Sequence, residues 1–516
     1  MGPEQLFSRL KAYIKKEWII CFCSAIVIGL AAHIYKLTNF LPNWDSLLNL
    51  YTNQDKTDLG RCFLMYACSL SSYYDLPWIN GLLSLVYIAC SAVCVSELFH
   101  IRKKIPLILL GGIMVTFPTV TSTLAYNYTA DGYFLALLCM CVAVILIVRY
   151  QKGFFPAAVL FAFGLGVYQA YITFAVVLIL IYLIDQLLFY QINIREFRII
   201  TSRSVISGIL GAMIYWISLK IRLLTSEGSL SEYQNVNEAF SLQSIDIFRA
   251  ILRCGYRFLI YFFDFSKGIN LFLVINIGLI LLLAVLFLYA FKSKNMSKTP
   301  WRLGMAIFCV AMLPFASYAL YFISYLMDYH NLMVMCLCLI YILPLLFYER
   351  LSSVTKEVCL MKWGILILSL TMVYYFVMIS NISYQKMHMA YEKSYGVTVR
   401  LADRIEQLPG ADQCSEIAVA GCLPGSEAFS YSFPPDMTGI TDSYIIRKQD
   451  TMMHENVLQA MLRDYCGISY EDTTEEEVQK IYSTEEFKKM GCWPEDNSVS
   501  VIGDILVIKF GGEIDE

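Results

Sequence analysis

Long apolar stretches recur along the chain and indicate its fold class. A helix that crosses a bilayer needs about 20 mostly apolar residues, and all of its polar backbone groups must be bonded internally. The stretches predict an α-helical polytopic membrane protein of about eleven spans, near residues 18–36, 79–99, 105–124, 131–149, 154–170, 171–190, 204–222, 269–291, 303–324, 332–348 and 363–381.

The pattern changes after residue 381, where charged and turn-forming residues replace the apolar stretches. Helical periodicity and short apolar runs predict helices near 386–407, 451–464 and 474–490, and strands at 417–420, 498–502 and 505–510. We therefore predict a transmembrane domain over 1–381 and a small α/β domain over 382–516. The second domain has no glycine-rich phosphate loop, HExxH or CxxC motif. Its predicted role is packing, with acceptor binding or a lid as the alternatives.

The composition indicates a chain that lies mostly in lipid. Of its 516 residues 58% are apolar and 16% charged, and the mean hydropathy is +0.58. Soluble domains have about 45–50% apolar and 25% charged residues, so collagen-like, disordered and nucleic-acid-binding classes are excluded. The charges are unevenly divided. Residues 1–381 have 28 Lys and Arg against 18 Asp and Glu, whereas residues 382–516 have 11 against 24.

The basic residues also predict an orientation. Lys and Arg concentrate in alternate connections between spans, and the turns around 127–131, 167–170 and 327–331 contain none. By the positive-inside rule the basic connections face the cytoplasm. This places the N-terminus inside and the C-terminal domain outside. The basic connections contain Arg9, Lys11, Lys15 and Lys16; Arg102, Lys103 and Lys104; Arg149 and Lys152; Arg195, Arg198 and Arg203; Lys292, Lys294, Lys298 and Arg302; and Arg350, Lys356 and Lys362.

Two outer loops, near 37–78 and 223–268, are longer than a turn requires, and such loops tend to carry function. In the first, Asp45 follows Trp44 shortly after the first span. A carboxylate at the membrane surface can accept a proton from a hydroxyl as general base, and Trp44 is a candidate for substrate binding. The structural alternative for Asp45 is a helix cap.

Two further carboxylates and an arginine are candidates on the same side. Asp58 and Arg61 would share one face of a helix over 57–68, either as a local ion pair or with Arg61 binding a phosphate through its planar guanidinium. Asp131 begins the fourth span. It would bond sugar hydroxyls or assist a base, and a capping role is the alternative.

The second loop contains three arginines at spacings of four, Arg249, Arg253 and Arg257. An amphipathic helix would present them as one cationic stripe. This stripe would hold the phosphates of a lipid carrier or, as an equal alternative, contact anionic headgroups.

The remaining candidates lie in short outer turns. Tyr329 and His330 would contact phosphate or sugar, with structural hydrogen bonding as the alternative, and Tyr168 and Gln169 would line a cavity or anchor a span at the interface. The five histidines form no cluster with the spacing of metal ligands, so no metal site is predicted and no metal is required. Use of a divalent metal is left as an open alternative. Four outer cysteines allow three disulfide connectivities and are left unpaired: Cys414, Cys422, Cys466 and Cys492.

Several strings resemble the type II glucosyl transferase family of bacterial multi-span proteins, which is linked to glucosylation of cell-surface polysaccharide such as O-antigen. The similarity covers most of the chain. Its motifs are Asn43-Trp44-Asp45-Ser46, Leu59-Gly60-Arg61, Ser71 to Gly81, Thr129-Ala130-Asp131-Gly132-Tyr133-Phe134, Gly166 to Tyr171, Tyr329 to Met333, Ala390 to Gly396 and Met490 to Pro494. Arg61-Cys62 stands where some relatives have Gly-Arg-Trp, a change that affects local packing more than the arginine.

The resemblance implies a GT-C-like architecture in the bacterial cytoplasmic membrane. Such an enzyme takes a sugar from a polyprenyl phosphate carrier and passes it to an acceptor glycan on the outer face. The sugar expected here is a hexose, and the family resemblance implies glucose. The acidic residue of the first outer loop commonly serves as base, and Asp45 fits that position. Membrane lipids are expected partners, a donor synthase and a flippase are further candidates, and nucleic acid is not expected. A polysaccharide or lipid transporter, a membrane scaffold with an outer domain and an acyltransferase are the competing classes.

Overall fold

The structure is a computed structural model that describes residues 2–226, 228–231, 246–352, 355–421, 423, 435–440 and 451–511. It divides into two compact units. The first comprises Met1–Thr38, Tyr51–Asn381 and Pro434–Thr438, and the second comprises Asn39–Leu50, Ile382–Phe433 and Gly439–Glu516.

The first unit is helical, as the apolar stretches predict. Its helices are α1 (Pro3–Tyr13), α2 (Lys16–Thr38), α4 (Leu64–Cys68), α5 (Pro77–Leu98), α6 (Lys104–Thr116), α7 (Pro118–Ala125), α8 (Asn127–Arg149), α9 (Phe154–Val167), α10 (Ile172–Asp185), α11 (Ile194–Thr225), α12 (Ile247–Phe263), α13 (Leu271–Ser293), α14 (Pro300–Ser317) and α15 (Cys338–Arg350). A short α3 (Trp44–Leu48) belongs to the second unit, and α16 (Lys356–Gln407) contains the boundary after Asn381.

Within the described residues nine helical segments are long and apolar enough to cross a membrane, and two of them, Lys104–Ala125 and Gln169–Tyr190, consist of shorter helices that follow one another directly. These segments agree with the multi-span prediction, but the count of about eleven is not confirmed. The two other predicted stretches form shorter helices. α9 has 14 residues, and α15 has 13 because two 3₁₀ turns, Asn331–Met333 and Met335–Leu337, occupy the start of the predicted span.

Local sequence explains two further departures. The third span is broken into α6 and α7 at Phe117, because the proline at 118 disfavours helical geometry in the preceding residue, whose φ and ψ are −52° and 138°. α11 begins at Ile194, ten residues before the predicted span. A capping box starts it there, in which the Asn193 side chain accepts from the Glu196 amide and the Glu196 side chain accepts from the Asn193 amide.

The second unit contains the predicted C-terminal sheet. Its strands are β1 (Glu416–Ala420), β2 (Glu471–Asp472), β3 (Val499–Ile502) and β4 (Ile505–Lys509), in the order β2-β1-β4-β3. β1 runs parallel to β2 and β4, and β3 is antiparallel to β4. Three helices accompany them: α17 (Thr451–Met461), α18 (Glu475–Ser483) and α19 (Glu485–Lys489).

Alternation along the strands gives the sheet two apolar faces. Ile417 and Leu506 belong to one core, which also contains Leu401 of α16. Ala418 and Val507 belong to the other core, with Ile481 and Phe487 from α18 and α19. Cys414, Cys466 and Cys492 have free thiols, and Cys422 lies outside the described residues.

Candidate functional site

In the helical unit, residues 51–74 form a loop whose two ends pair with each other. Tyr51 and Tyr74 pair as an antiparallel bridge with their rings 4.4 Å apart, and Lys56 pairs with Arg61. A 3₁₀ turn over Thr57–Leu59 ends at Gly60, whose φ is +74°. The left-handed residue interrupts the helix that would place Asp58 and Arg61 on one face. A helix over 57–68 is therefore wrong, and helical structure resumes only at α4.

Gly60 is held from two sides. Gln169 Nε2 donates to the carbonyl of Leu59 at 3.1 Å, and the Tyr215 hydroxyl of α11 donates to the carbonyl of Gly60 at 3.0 Å. A Cβ on Gly60 would lie 2.7 Å from Gln169 Nε2 and 2.8 Å from the Tyr215 oxygen. The position thus requires glycine both for its backbone conformation and for space. We call these contacts the Gly60 clasp.

The clasp positions Arg61 beside two stacked tyrosines. The rings of Tyr133 and Tyr168 are 4.3 Å apart and nearly parallel, at 14°. Arg61 Nη1 donates to the Tyr133 hydroxyl at 2.8 Å, and its guanidinium carbon lies 5.3 Å from the Tyr168 ring. Cation–π contacts of this kind hold a guanidinium in a fixed plane. The predicted residues Arg61, Tyr168 and Gln169 are therefore neighbours, together with Tyr133.

A buried ring of polar side chains surrounds Asp131 on α8. Asp131 is 1% exposed, and its Oδ1 accepts from Asn80 Nδ2 at 3.3 Å. Asn80 Oδ1 accepts from the amide of Leu76, whose neighbour Asp75 accepts from Asn127 Nδ2 at 2.6 Å. Asn127 lies one helical turn before Asp131, so these hydrogen bonds tie the segment around Asp75 and Leu76 to two successive turns of α8. Buried polar groups that are linked in this way are rigid.

The other two candidate carboxylates belong to different units. In the second unit Asp45 is half-buried on α3, whose N-cap is not Asp45 but Asn43, which accepts from the Ser46 amide at 2.7 Å. Trp44 packs in an apolar cluster with Leu47. In the first unit Asp58 is exposed, and its carbonyl accepts from the Ser231 amide.

The arginine stripe of α12 is already paired. Its contacts are Arg249 with Asp246 at 3.2 Å, Arg253 with the carbonyl of Tyr325, and Arg257 with Asp328 at 3.4 Å. His330 lies 3.9 Å from the same Asp328. The stripe is thus neutralised in large part by its own neighbours.

A cavity of about 210 Å³ opens between α12, α13 and the loop after α14. Arg257, Tyr329 and His330 line it, together with Lys267 and Asp436, which form an ion pair. Burial raises the pKa of the Tyr329 phenol, which accepts from the Leu320 amide and stays protonated at neutral pH. The cavity therefore offers aromatic faces and neutral or paired polar groups.

The cavity loop also contacts α7, which leads into α8. Asn331 Nδ2 donates to Ser122 at 3.0 Å, and the Asn331 carbonyl accepts from Thr119 at 2.8 Å. Through these bonds the His330 turn is fixed to the segment that precedes Asp131. Of the predicted residues, the structure brings together Arg61, Tyr168 and Gln169 in one group and Arg257, Tyr329 and His330 in another.

The region described so far matches a known family. A family model described as Glucosyl transferase GtrII matches residues 34–333, more than half of the chain. The chain belongs to this family. Membership confirms the predicted resemblance and assigns this GtrII protein to the membrane glucosyltransferases. No curated protein and no solved structure shows a significant match.

Three residues of the polar ring of the GtrII chain are not among the site residues predicted from the sequence. Lys36 near the end of α2 is 1% exposed and interacts electrostatically with Asp75, and Asn80 and Asn127 are fully buried. A signal was present, because ionisable and amide side chains within or beside apolar spans are costly and mark functional sites. Tyr133 carried no such signal, since tyrosines are common at span ends.

Proposed function

We propose that the protein transfers a glucosyl unit from a polyprenyl phosphate carrier to a cell-surface glycan, on the outer face of a bacterial cytoplasmic membrane. The observation that carries this proposal is Arg61, fixed by the Gly60 clasp and the tyrosine pair inside the region that matches the GtrII family. A planar, oriented guanidinium suits a phosphate, which it binds by two parallel hydrogen bonds.

In the proposed reaction Asp45 is the general base. It takes the proton of an acceptor hydroxyl while that oxygen bonds to the anomeric carbon of the donor sugar. The bond from this carbon to the phosphate oxygen breaks, and its electron pair leaves with the polyprenyl phosphate. Arg61 stabilises the charge on that phosphate, where fixed cations are most effective. One displacement inverts the anomeric carbon. Because phosphate is already a good leaving group, the reaction requires no metal.

Asp131 and its ring have a second role in the proposal. A carboxylate that is 1% exposed and bonded to Asn80 is poorly placed to accept a proton from an incoming acceptor. We assign Asp131 to positioning, by holding the start of α8 and thereby Tyr133. Asp58, which is exposed, is the alternative base.

The cavity near His330 is assigned to an uncharged sugar rather than to phosphate. Arg257 and Lys267 are each paired with a carboxylate, so the local charge is close to neutral. Aromatic rings and paired polar groups suit the faces and hydroxyls of a sugar ring. Arg249 and Arg253, outside this cavity, are assigned to the loop contact and to lipid headgroups.

The test is the sugar composition of cell-envelope polysaccharide, measured by mass spectrometry in a strain that lacks the gene. The strain is complemented with wild type, Asp45→Asn, Arg61→Gln or the control Asp55→Asn at matched protein levels. Asp55 is in the same loop but forms a surface ion pair with Arg222, which contributes about 0.2–1 kcal/mol. We expect a hexose branch with wild type and Asp55→Asn only.

Two outcomes contradict the proposal at different levels. If Asp45→Asn restores the branch fully, Asp45 is not the base and Asp58→Asn is tested next. If the polysaccharide is identical with and without the gene, the transferase proposal fails, and a transporter or a membrane scaffold becomes the favoured function.

A further inference from the structure

A single carboxylate gathers three basic side chains at one end of the helical unit. Glu97, one residue before the end of α5, is 5% exposed. We call it and its partners the Glu97 cluster. The contacts are Lys15 Nζ to Oε1 at 2.7 Å, Arg149 Nη2 to Oε1 at 3.0 Å, Arg102 Nη1 to Oε2 at 3.0 Å, and Trp18 Nε1 to Oε2 at 2.7 Å.

The Glu97 cluster has an excess of positive charge. Three cations share one anion, which leaves two positive charges uncompensated within the cluster. Nearby charged side chains bond to other groups: Arg350 makes two hydrogen bonds to Asp185, and the Lys103 ammonium donates to the backbone carbonyls of Tyr348 and Glu349. The excess therefore belongs to the Glu97 cluster itself.

The three cations remain accessible on their outer sides. The side chains of Lys15, Arg102 and Arg149 are 43%, 34% and 32% exposed, although each contacts Glu97. Each of these groups has more donors than Glu97 occupies, because a guanidinium has five N–H bonds and an ammonium three. The cluster thus presents oriented donors to an anion that approaches from outside.

The position of the cluster favours a lipid as the source of that anion. α2 begins at Lys16, α5 ends at Leu98, α6 begins at Lys104 and α8 ends at Arg149. Four candidate membrane spans therefore begin or end at the cluster, and if these segments cross the bilayer the cluster lies at the depth of the lipid headgroups. Trp18 contributes its indole, a group that is enriched at that depth.

We propose that the Glu97 cluster is a binding site for the phosphate of an anionic phospholipid headgroup. The lipid phosphate accepts hydrogen bonds from Arg102 and Lys15, and its charge reduces the excess left by Glu97. This site is independent of the transferase reaction, and none of its residues belongs to the proposed catalytic group. On the predicted orientation it faces the cytoplasmic leaflet, which is the anionic one.

The experiment measures lipid binding to the purified full-length protein by native mass spectrometry, with phosphatidylglycerol and phosphatidylcholine as probes. Lys15→Gln/Arg102→Gln removes the two uncompensated charges and keeps Arg149, which also donates to the Glu97 carbonyl. At about 1 kcal/mol for each basic residue, phosphatidylglycerol affinity should fall about 30-fold. Arg102→Gln alone should lower the phosphatidylglycerol affinity about fivefold, and this single variant replaces the double variant if the latter fails to fold.

The matched control is Arg195→Gln/Arg198→Gln, which removes two exposed arginines from the start of α11 on the same predicted side. It should change phosphatidylglycerol affinity less than twofold. Equal weakening by both double variants would show that only overall charge matters and would overturn the site. So would equal binding of both lipids to wild type. Displacement of the lipid by millimolar inorganic phosphate would reassign the site to a soluble anion.

Discussion

Replacement of Gly60 by alanine tests whether the Gly60 clasp positions Arg61. A residue other than glycine at a φ of +74° costs about 1–2 kcal/mol. The new Cβ would also displace Gln169 Nε2 and the Tyr215 hydroxyl, which lie within 2.8 Å of it. Loss of their two hydrogen bonds costs about 0.5–1.5 kcal/mol each. The clasp should therefore weaken by about 2–5 kcal/mol.

The assay is glucosyl transfer in membranes with a lipid-linked donor, together with thermal unfolding of the purified protein. Because about 1.4 kcal/mol corresponds to a factor of ten, kcat/KM for the donor should fall at least 30-fold. Gly268→Ala is the first control, since Gly268 has a φ of +70° but no described atom within 4 Å of its added Cβ. Gly208→Ala in α11 is the second, because it adds the same methyl group in open space with helical geometry. Wild-type kcat/KM in Gly60→Ala would refute the positioning argument.

Three further predictions concern single residues. Tyr133→Phe removes the oxygen that Arg61 contacts at 2.8 Å, so the KM for the donor should rise about tenfold in the transfer assay at unchanged thermal stability; an unchanged KM would contradict the contact's role. Burial raises the pKa of the Cys62 thiol to about 11, so about one thiol in a thousand is ionised at pH 8. Maleimide should therefore label Cys62 far more slowly than the exposed Cys359, and faster as the pH rises towards 11; rapid labelling in the folded protein would show an accessible, ionised thiol. Leu506 is 0% exposed, so Leu506→Ala leaves a cavity in the core and should lower the free energy of unfolding of the C-terminal domain by about 2–5 kcal/mol. The change should appear as faster proteolysis of that domain within the full chain, and unchanged proteolysis would contradict the prediction.

The helical architecture could be predicted because lipid imposes one dominant rule on the chain. Apolar length alone located the spans that the structure has as α2, α5, α8 and α13. Apolar length did not predict the structure where local backbone geometry departs from an α-helix. The segment before α15 contains 3₁₀ turns although its residues are apolar, since a window average does not register the local backbone geometry. Short apolar runs likewise located β1, β3 and β4, whose two faces are both buried.

The types of residue in the site could be predicted from the sequence, but the contacts between them could not. Asp131 was recognisable as a costly carboxylate near lipid, and Arg61 as a planar guanidinium suited to phosphate. The pairing of these residues was not predictable, because Asn80 and Tyr133 lie 51 and 72 residues away along the chain and meet Asp131 and Arg61 only through helix packing. For the same reason the stripe on α12 was predicted from its spacing, whereas its neutralisation by Asp328 depends on a loop 71 residues later.

The Glu97 cluster has a consequence for the order in which the protein is assembled. Lys15 and Trp18 are synthesised before Glu97, and Arg102 follows it directly, but Arg149 is 52 residues later. At about 5–20 residues per second, the ribosome reaches Arg149 about 3–10 s after Glu97. During that interval the first span can already be held to the second, while the fourth is still missing. A nascent chain that ends before Arg149 is therefore an incomplete insertion intermediate, in which this corner of the bundle is joined by two basic residues instead of three.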